Sequence, residues 1–113
     1  MPRSSNDQVP KEYVSSGIWP RAELRVDAPA SAHYSQALAR NLEAALHASG
    51  HSLRTLADEA GLTHTTIGRV LRGEVLPDLG TLARLEVVFD IELWPGLASL
   101  PQRTTQSGES AIG

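Results

Sequence analysis

Cysteine is absent from the 113 residues, and aromatic residues make up only 4% of them. Without cysteine the chain forms no disulfide bond and no thiolate metal site, which fits a reducing compartment. No apolar run reaches the roughly 18 residues of a membrane span, and the N-terminus has no apolar signal segment. We therefore expect a cytoplasmic protein without a membrane partner. Its single domain should have a core of leucine, valine, isoleucine and alanine.

Positive charge is also scarce. Ten Lys and Arg residues face 13 Asp and Glu residues, which gives a formal net charge of −3, and Lys11 is the only lysine. This balance is not that of a chain attracted to nucleic acid mainly through its net charge.

The distribution of apolar residues divides the chain into three segments. Residues 1–31 form an N-terminal extension that is partly flexible, residues 32–98 a helical domain, and residues 99–113 a flexible polar tail. Residues 1–20 lack helical periodicity, and residues 22–27 alternate apolar and charged side chains as a short strand does. Three hypotheses for the extension stay open: an arm that reaches DNA, a strand that pairs with a second protomer, or a strap over the helices with Trp19 buried against them.

Five short helices are predicted for the middle segment, which makes the fold all-α. The first carries an apolar stripe formed by Leu38, Leu42, Ala45 and Leu46. The predicted helix ends, in chain order, are Gly50 for the first helix, Ser52 and Gly61 for the second, Thr63 and Gly73 for the third, and Pro77-Asp78 for the start of the fourth. A last short turn or helix holds Leu93, Trp94 and Leu97, with Trp94 expected in the core or at a dimer contact.

The stretch "SLRTLADEAGLTHTTIGRVLRGEVLPDLGTLARL" (52–85) resembles the helix-turn-helix of the lambda-repressor and Cro type, also called the XRE family. The matching positions are Leu56-Ala57, Gly61-Leu62-Thr63, Thr66-Ile67, Arg69, Arg72-Gly73, Pro77 and Thr81-Leu82, and the resemblance covers roughly residues 35–97. It implies a five-helix bundle that binds double-stranded DNA, usually as a homodimer, with residues 64–72 as the recognition helix.

The outer face of the third helix agrees with that role. Residues 64, 68 and 72 share one helical stride and residues 65 and 69 the next, opposite the apolar Ile67, Val70 and Leu71. Arginine can grip guanine with two hydrogen bonds, and threonine can meet a thymine methyl group. The predicted base-reading residues are His64, Thr65, Gly68 and Arg69, with Gly68 allowing close approach of the helix backbone. The predicted DNA-backbone contacts are Ser52, Arg54, Thr63, Thr66 and Arg72.

The chain departs from the family at three positions. Leu53 stands where many members carry a glutamine that contacts the DNA backbone, so backbone anchoring is expected to shift to Ser52, Arg54 and Arg72. Leu46 and Leu71 stand where some members have an Arg–Glu pair, so packing is expected to replace an ion pair there. The three arginines between residues 50 and 76 are matched by three carboxylates, which predicts modest DNA affinity unless a dimer or the extension adds contacts.

No enzyme is predicted, because no catalytic residues or phosphate-binding loop can be assigned. No cofactor or metal is predicted either: His47 and His51 are four apart, but Gly50 between them ends the helix. The expected function is a transcriptional regulator that occupies an operator, associated with the nucleoid when bound. Two alternatives stay open. One is the antitoxin of a toxin–antitoxin pair, which would bind its toxin through the N-terminal extension or the tail after Pro101. The other is a protein-interaction module that has lost DNA binding.

Overall fold

Four α-helices and a short β-hairpin make up residues 7–101, the part of the chain that the computed structural model describes. The helices are α1 (Ala30–Ser49), α2 (Leu53–Ala60), α3 (His64–Leu71) and α4 (Leu79–Phe89). Strands β1 (Val14–Ser16) and β2 (Glu23–Leu24) pair in antiparallel orientation. One 3₁₀ turn, Pro10–Tyr13, precedes the hairpin, and another, Gly96–Ser99, follows α4. Over this range no helix is both long and apolar enough to cross a membrane.

Side-chain caps fix where three of these helices begin. Ser52, Thr63 and Asp78 each accept a hydrogen bond from the backbone N–H three residues further on, at 3.0, 3.1 and 2.8 Å. Such a cap satisfies a backbone donor that the first helical turn leaves without a partner. At the other ends, Gly50 and Gly61 adopt positive φ angles of 76° and 72° and terminate α1 and α2. The helix ends predicted from these residues are confirmed.

The core lies between the four helices. Its fully buried side chains come from each helix in turn and from the segment after α4: Leu42, Leu56, Ile67, Leu85 and Leu93. Within α1 the buried Leu38, Leu42 and Ala45 lie four and three residues apart, which is the spacing that predicts an inward face. Ile67 and Val70 of α3 are buried in the core. The opposite face of that helix is therefore exposed to solvent.

The predicted fifth helix is not an α-helix. After α4, the backbone N–H groups of Leu93 and Trp94 donate to the Glu86 carboxylate at 2.8 and 2.9 Å, and only a 3₁₀ turn follows. Pro95 lacks an N–H, and Gly96 has a φ of +69°, so an α-helix cannot run through them. Leu93 is buried as expected. Trp94 is 53% exposed and is not a core residue; its ring packs edge-on against Tyr34, with centroids 4.9 Å apart.

The N-terminal extension packs over the helices as a strap, here defined as residues 8–25. The strand expected over residues 22–27 is shorter than predicted and pairs with β1 of its own chain. The indole Nε1 of Trp19 donates to the Leu71 carbonyl at 3.0 Å, and the backbone N–H of Ala22 donates to Gln36 of α1 at 3.0 Å. The strap therefore joins α1 to the end of α3. The predicted tail from residue 102 onward lies outside the described residues.

Candidate nucleic-acid interface

The outer face of α3 presents three polar side chains to solvent. His64, Thr65 and Arg69 are all exposed, while Ile67 and Val70 on the opposite face are buried. Within residues 7–101 Arg69 forms no ion pair with a carboxylate. Three of the four predicted base-reading residues are thus brought together on one accessible face.

The fourth, Gly68, is buried rather than open to the outside. The guanidinium group of Arg72, one helical turn further on, covers it. A Cβ atom added to Gly68 would lie 2.9 Å from Nη1 and 3.5 Å from Nη2 of Arg72. The glycine therefore makes room for a side chain of this chain, and its backbone is not the bare surface that the sequence predicts.

Arg72 is in turn held by Glu74. Its Nε and Nη2 atoms donate to the two carboxylate oxygens at 3.1 and 3.3 Å, and the Lys11 ammonium of the strap lies 3.5 Å from the same carboxylate. The hydrogen bonds from Arg72, and then the positive charges of Arg72 and Lys11, hold the pKa of Glu74 below its usual range. Glu74 therefore remains ionised at neutral pH and joins two cations at the C-terminal end of α3.

Four of the five predicted backbone-contacting residues, all except Arg72, lie at the starts of α2 and α3. Ser52 donates its hydroxyl proton to the Thr55 hydroxyl at 3.0 Å, so the Thr55 proton is left for an outside acceptor. The Thr63 and Thr66 hydroxyls form a similar pair, also 3.0 Å apart, in which either can donate. Arg54 is exposed in the first turn of α2. Thr55 was missed by the sequence analysis, although its position three residues after a serine cap is a signal that could have found it.

The three family departures are all apolar packing positions in the structure. Leu53, Leu46 and Leu71 are partly buried and pack against the core cluster. Leu53 therefore stabilises the start of α2 from inside and offers no hydrogen bond outward.

His47, in the last turn of α1, and His51, between α1 and α2, have separate surroundings. His47 is exposed. The His51 ring lies 3.1 Å from the Glu59 carboxylate through Nε2 and 2.8 Å from the Ser49 hydroxyl through Nδ1. Within residues 7–101 no group of three or more His, Asp or Glu side chains is placed to hold a metal ion.

The contacts that the strap makes at the end of α3 could not be predicted from the sequence. The Lys11 backbone N–H donates to the Gly73 carbonyl at 2.9 Å, and the Trp19 ring lies against Gly73. A Cβ atom at Gly73 would come within 2.6 Å of that ring. Both partners are more than fifty residues away along the chain, where no periodicity or spacing connects them.

Comparison with protein families agrees with this architecture. A helix-turn-helix family model matches residues 34–93, more than half of the chain, from the second turn of α1 to the buried Leu93. The strap lies outside the match. A comparison with curated proteins found no significant match. With two capped helices joined by a short turn and a polar outer face on the second, the chain belongs to the helix-turn-helix family of the lambda-repressor and Cro type, a family of DNA-binding transcriptional regulators.

Proposed function

We propose that this protein regulates transcription by docking α3 in the major groove of a specific operator. The observation that carries the proposal is the set of three accessible polar side chains, His64, Thr65 and Arg69, on a helix whose other face is fixed in the core. The major groove admits an α-helix, and each base pair presents there a distinct pattern of donors and acceptors. A rigid helix with short polar side chains can read that pattern.

Each of the three side chains has a distinct role. No carboxylate among the described residues pairs with Arg69, so its guanidinium group can donate two parallel hydrogen bonds to guanine. Thr65 meets a thymine methyl group or a base acceptor. His64, in the first turn of α3, reaches a base edge at the neighbouring position. Gly68 contributes no side chain to the contact.

Contacts to the sugar-phosphate backbone orient the domain on DNA without reading sequence. Ser52, Arg54, Thr63 and Thr66 lie at the starts of α2 and α3, where backbone N–H groups and the helix dipole favour an anion. The Thr55 hydroxyl proton adds a donor there. Arg72, the fifth predicted backbone contact, differs from these four residues because its guanidinium group is hydrogen-bonded to the Glu74 carboxylate.

Because few cations are available to contact phosphates, we infer that the protein binds DNA as a dimer. Arg72 is paired with Glu74, so Arg54 and Arg69 are the arginines of α2 and α3 that no described carboxylate neutralises. Two copies on a two-fold operator would double the phosphate contacts, with half-sites about 34–36 Å apart. Occupation of an operator in this way represses a promoter that overlaps it.

A protein-interaction module that has lost DNA binding is the second candidate function. The observation in its favour is that Glu74 neutralises Arg72, together with the absence of a hydrogen-bonding side chain at Leu53.

The antitoxin hypothesis requires a segment that a toxin can bind. Because residues 8–25 already pack on the chain's own helices, a toxin would have to displace the strap or bind elsewhere.

Selection of bound duplexes from a random DNA pool tests the proposal. We expect the wild type to select a two-fold motif, and the Thr65→Ala/Arg69→Ala double variant to lose or alter it. Arg84→Ala, which removes one arginine from α4, is the matched control and should select the wild-type motif. A pool that stays random at low salt would exclude the regulator and favour the interaction module.

A further inference from the structure

The head of Arg72 occupies the space that a side chain at residue 68 would otherwise take. Three guanidinium atoms lie between 2.9 and 3.6 Å from the position of a Cβ atom at Gly68. Side chains on a helix lean toward its N-terminus, which places the head of residue 72 above residue 68. The charge of Arg72 thus lies within the stripe shared by residues 64, 68 and 72, among the base-reading side chains.

The hydrogen bonds to Glu74 leave one particular edge of the guanidinium group available. A guanidinium has five N–H donors in a fixed plane. Glu74 takes the donor on Nε and one on Nη2. The remaining donors are one on Nη2 and two on Nη1, and one from each nitrogen points outward in parallel. This parallel pair matches the O6 and N7 acceptors of guanine in the major groove.

From these contacts we infer that Arg72 reads a guanine in place of the side chain that Gly68 lacks, and that Glu74 is the positioning residue that holds it there. The inference rests on the proposed function and revises the backbone contact that the sequence assigns to Arg72. Lys11 contributes by lying 3.5 Å from the Glu74 carboxylate. The backbone of Lys11 is also fixed to Gly73, so the strap supports the side on which Glu74 sits.

A simple phosphate contact would make different demands. It would need only the positive charge, so lysine could replace arginine, and a carboxylate beside the charge would weaken it. A base contact needs the planar fork in a fixed orientation, which lysine cannot supply. The two roles therefore respond differently to substitutions that keep the charge and to those that remove the carboxylate.

The test measures the motif selected by full-length variants and their affinity for duplexes that differ at one base pair. Gly68→Ala keeps every charge and suits a helix, but its methyl group must displace Nη1. Arg72→Lys keeps the charge and removes the fork. Glu74→Gln keeps the size and weakens the hold on Arg72. We expect all three to lose preference for guanine at one and the same base pair, by about 5-fold to about 150-fold for Arg72→Lys.

Two further variants serve as controls. Arg84→Gln removes a cation from α4, away from Arg72 and Glu74, and should keep the motif. Arg69→Lys should change a different base pair. Circular dichroism checks that each variant is folded. If Gly68→Ala does not fold, Arg72→Lys still tests the inference.

Three results would overturn the inference. If Gly68→Ala and Arg72→Lys select the wild-type motif, Arg72 contacts only phosphate. If Glu74→Gln sharpens the preference or raises affinity for every duplex alike, Glu74 restrains Arg72 instead of positioning it. If the wild type selects no motif at all, the proposed function fails, and this inference fails with it. A wild-type motif that the variants leave intact would overturn the inference alone.

Discussion

The indole nitrogen of Trp19 donates to the carbonyl oxygen of Leu71 at 3.0 Å. Leu71 is the last residue of α3, and the carbonyl groups of a final helical turn have no partner within their helix. The same tryptophan ring covers Gly73, the residue after the helix C-cap. A residue of the N-terminal strap thus completes the C-terminal end of α3.

Trp19 should stabilise the protein through two contributions, its hydrogen bond and the packing of its ring, which two substitutions separate. Trp19→Phe keeps an aromatic ring and loses the hydrogen bond, so we expect a loss of about 0.5–1.5 kcal/mol. Trp19→Ala also removes the packing of a half-buried ring and should cost more, about 2–4 kcal/mol. Urea unfolding measures both. Trp94→Ala, at the exposed tryptophan, is the control and should cost less than Trp19→Ala; equal losses would mean that Trp19 stabilises the protein no more than an exposed tryptophan does.

A pair of glycines separates backbone strain from contact with the strap. Gly73 and Gly50 both have positive φ angles, 71° and 76°. At Gly50 a Cβ atom would meet nothing within 4 Å, but at Gly73 it would meet the Trp19 ring at 2.6 Å. Gly50→Ala should therefore cost only the strain, about 1–2 kcal/mol. Gly73→Ala should cost more and should raise the exposure of Trp19, as seen in its fluorescence or its quenching by iodide. Equal unfolding free energies for the two variants would contradict the contact.

The salt dependence of DNA binding should identify the phosphate contacts. Arg54→Ala is expected to weaken binding to all duplexes alike and to reduce the slope of log K against log salt by about 0.9, the value for one lost phosphate contact. Arg84, whose guanidinium lies beside Gly61 at the opposite end of α2, is the control. Its replacement by alanine should leave the slope unchanged. A slope that Arg54→Ala does not alter would place the phosphates elsewhere.

Acid should weaken the start of α4. The hydrogen bond from the Thr81 backbone N–H lowers the pKa of Asp78 in the folded chain. A lowered folded pKa means that this stabilisation is present above the unfolded pKa of about 3.9 and is lost as pH falls through the lower folded value. Asp78→Asn keeps a good cap that does not titrate. We expect its melting temperature to fall less than that of the wild type below about pH 4.

Asp78→Ser supplies a second cap without charge and should follow Asp78→Asn. If wild type and both variants lose stability in parallel as the pH falls, the cap does not contribute to the acid sensitivity.

Local signals in the sequence were sufficient for the helix-turn-helix itself. Ser52, Thr63 and Asp78 each cap the helix that the apolar spacing predicts, because a cap depends only on the residue and the three that follow. Gly50 and Gly61 end helices because a left-handed turn costs glycine little. The exposed faces followed from the buried ones, so His64, Thr65 and Arg69 were placed on the outside correctly.

The remaining features depend on residues that are distant in sequence or on side-chain direction. The spacing of His64, Gly68 and Arg72 indicated a shared stripe but not that Arg72 would fold back over Gly68 and bind Glu74. A fifth α-helix is not confirmed: the predicted last turn or helix is a 3₁₀ turn, because Pro95 and Gly96 stop an α-helix where apolar spacing continues it. Trp19 was recognised as a strap residue in one of three hypotheses, yet its partner at Leu71 has no signature in the sequence.

The long sequence separation between Trp19 and Leu71 has a consequence for the order of folding. The two residues are 52 positions apart, whereas the caps of α2 and α3 close within three. The entropy lost on closing a chain segment grows with its length, and contacts of short range form sooner. We expect α2 and α3 to assemble first and the strap to close on them afterwards. In the native protein the strap should then open more often than the core unfolds, so that the amide of Lys11 exchanges with solvent deuterium before that of Ile67.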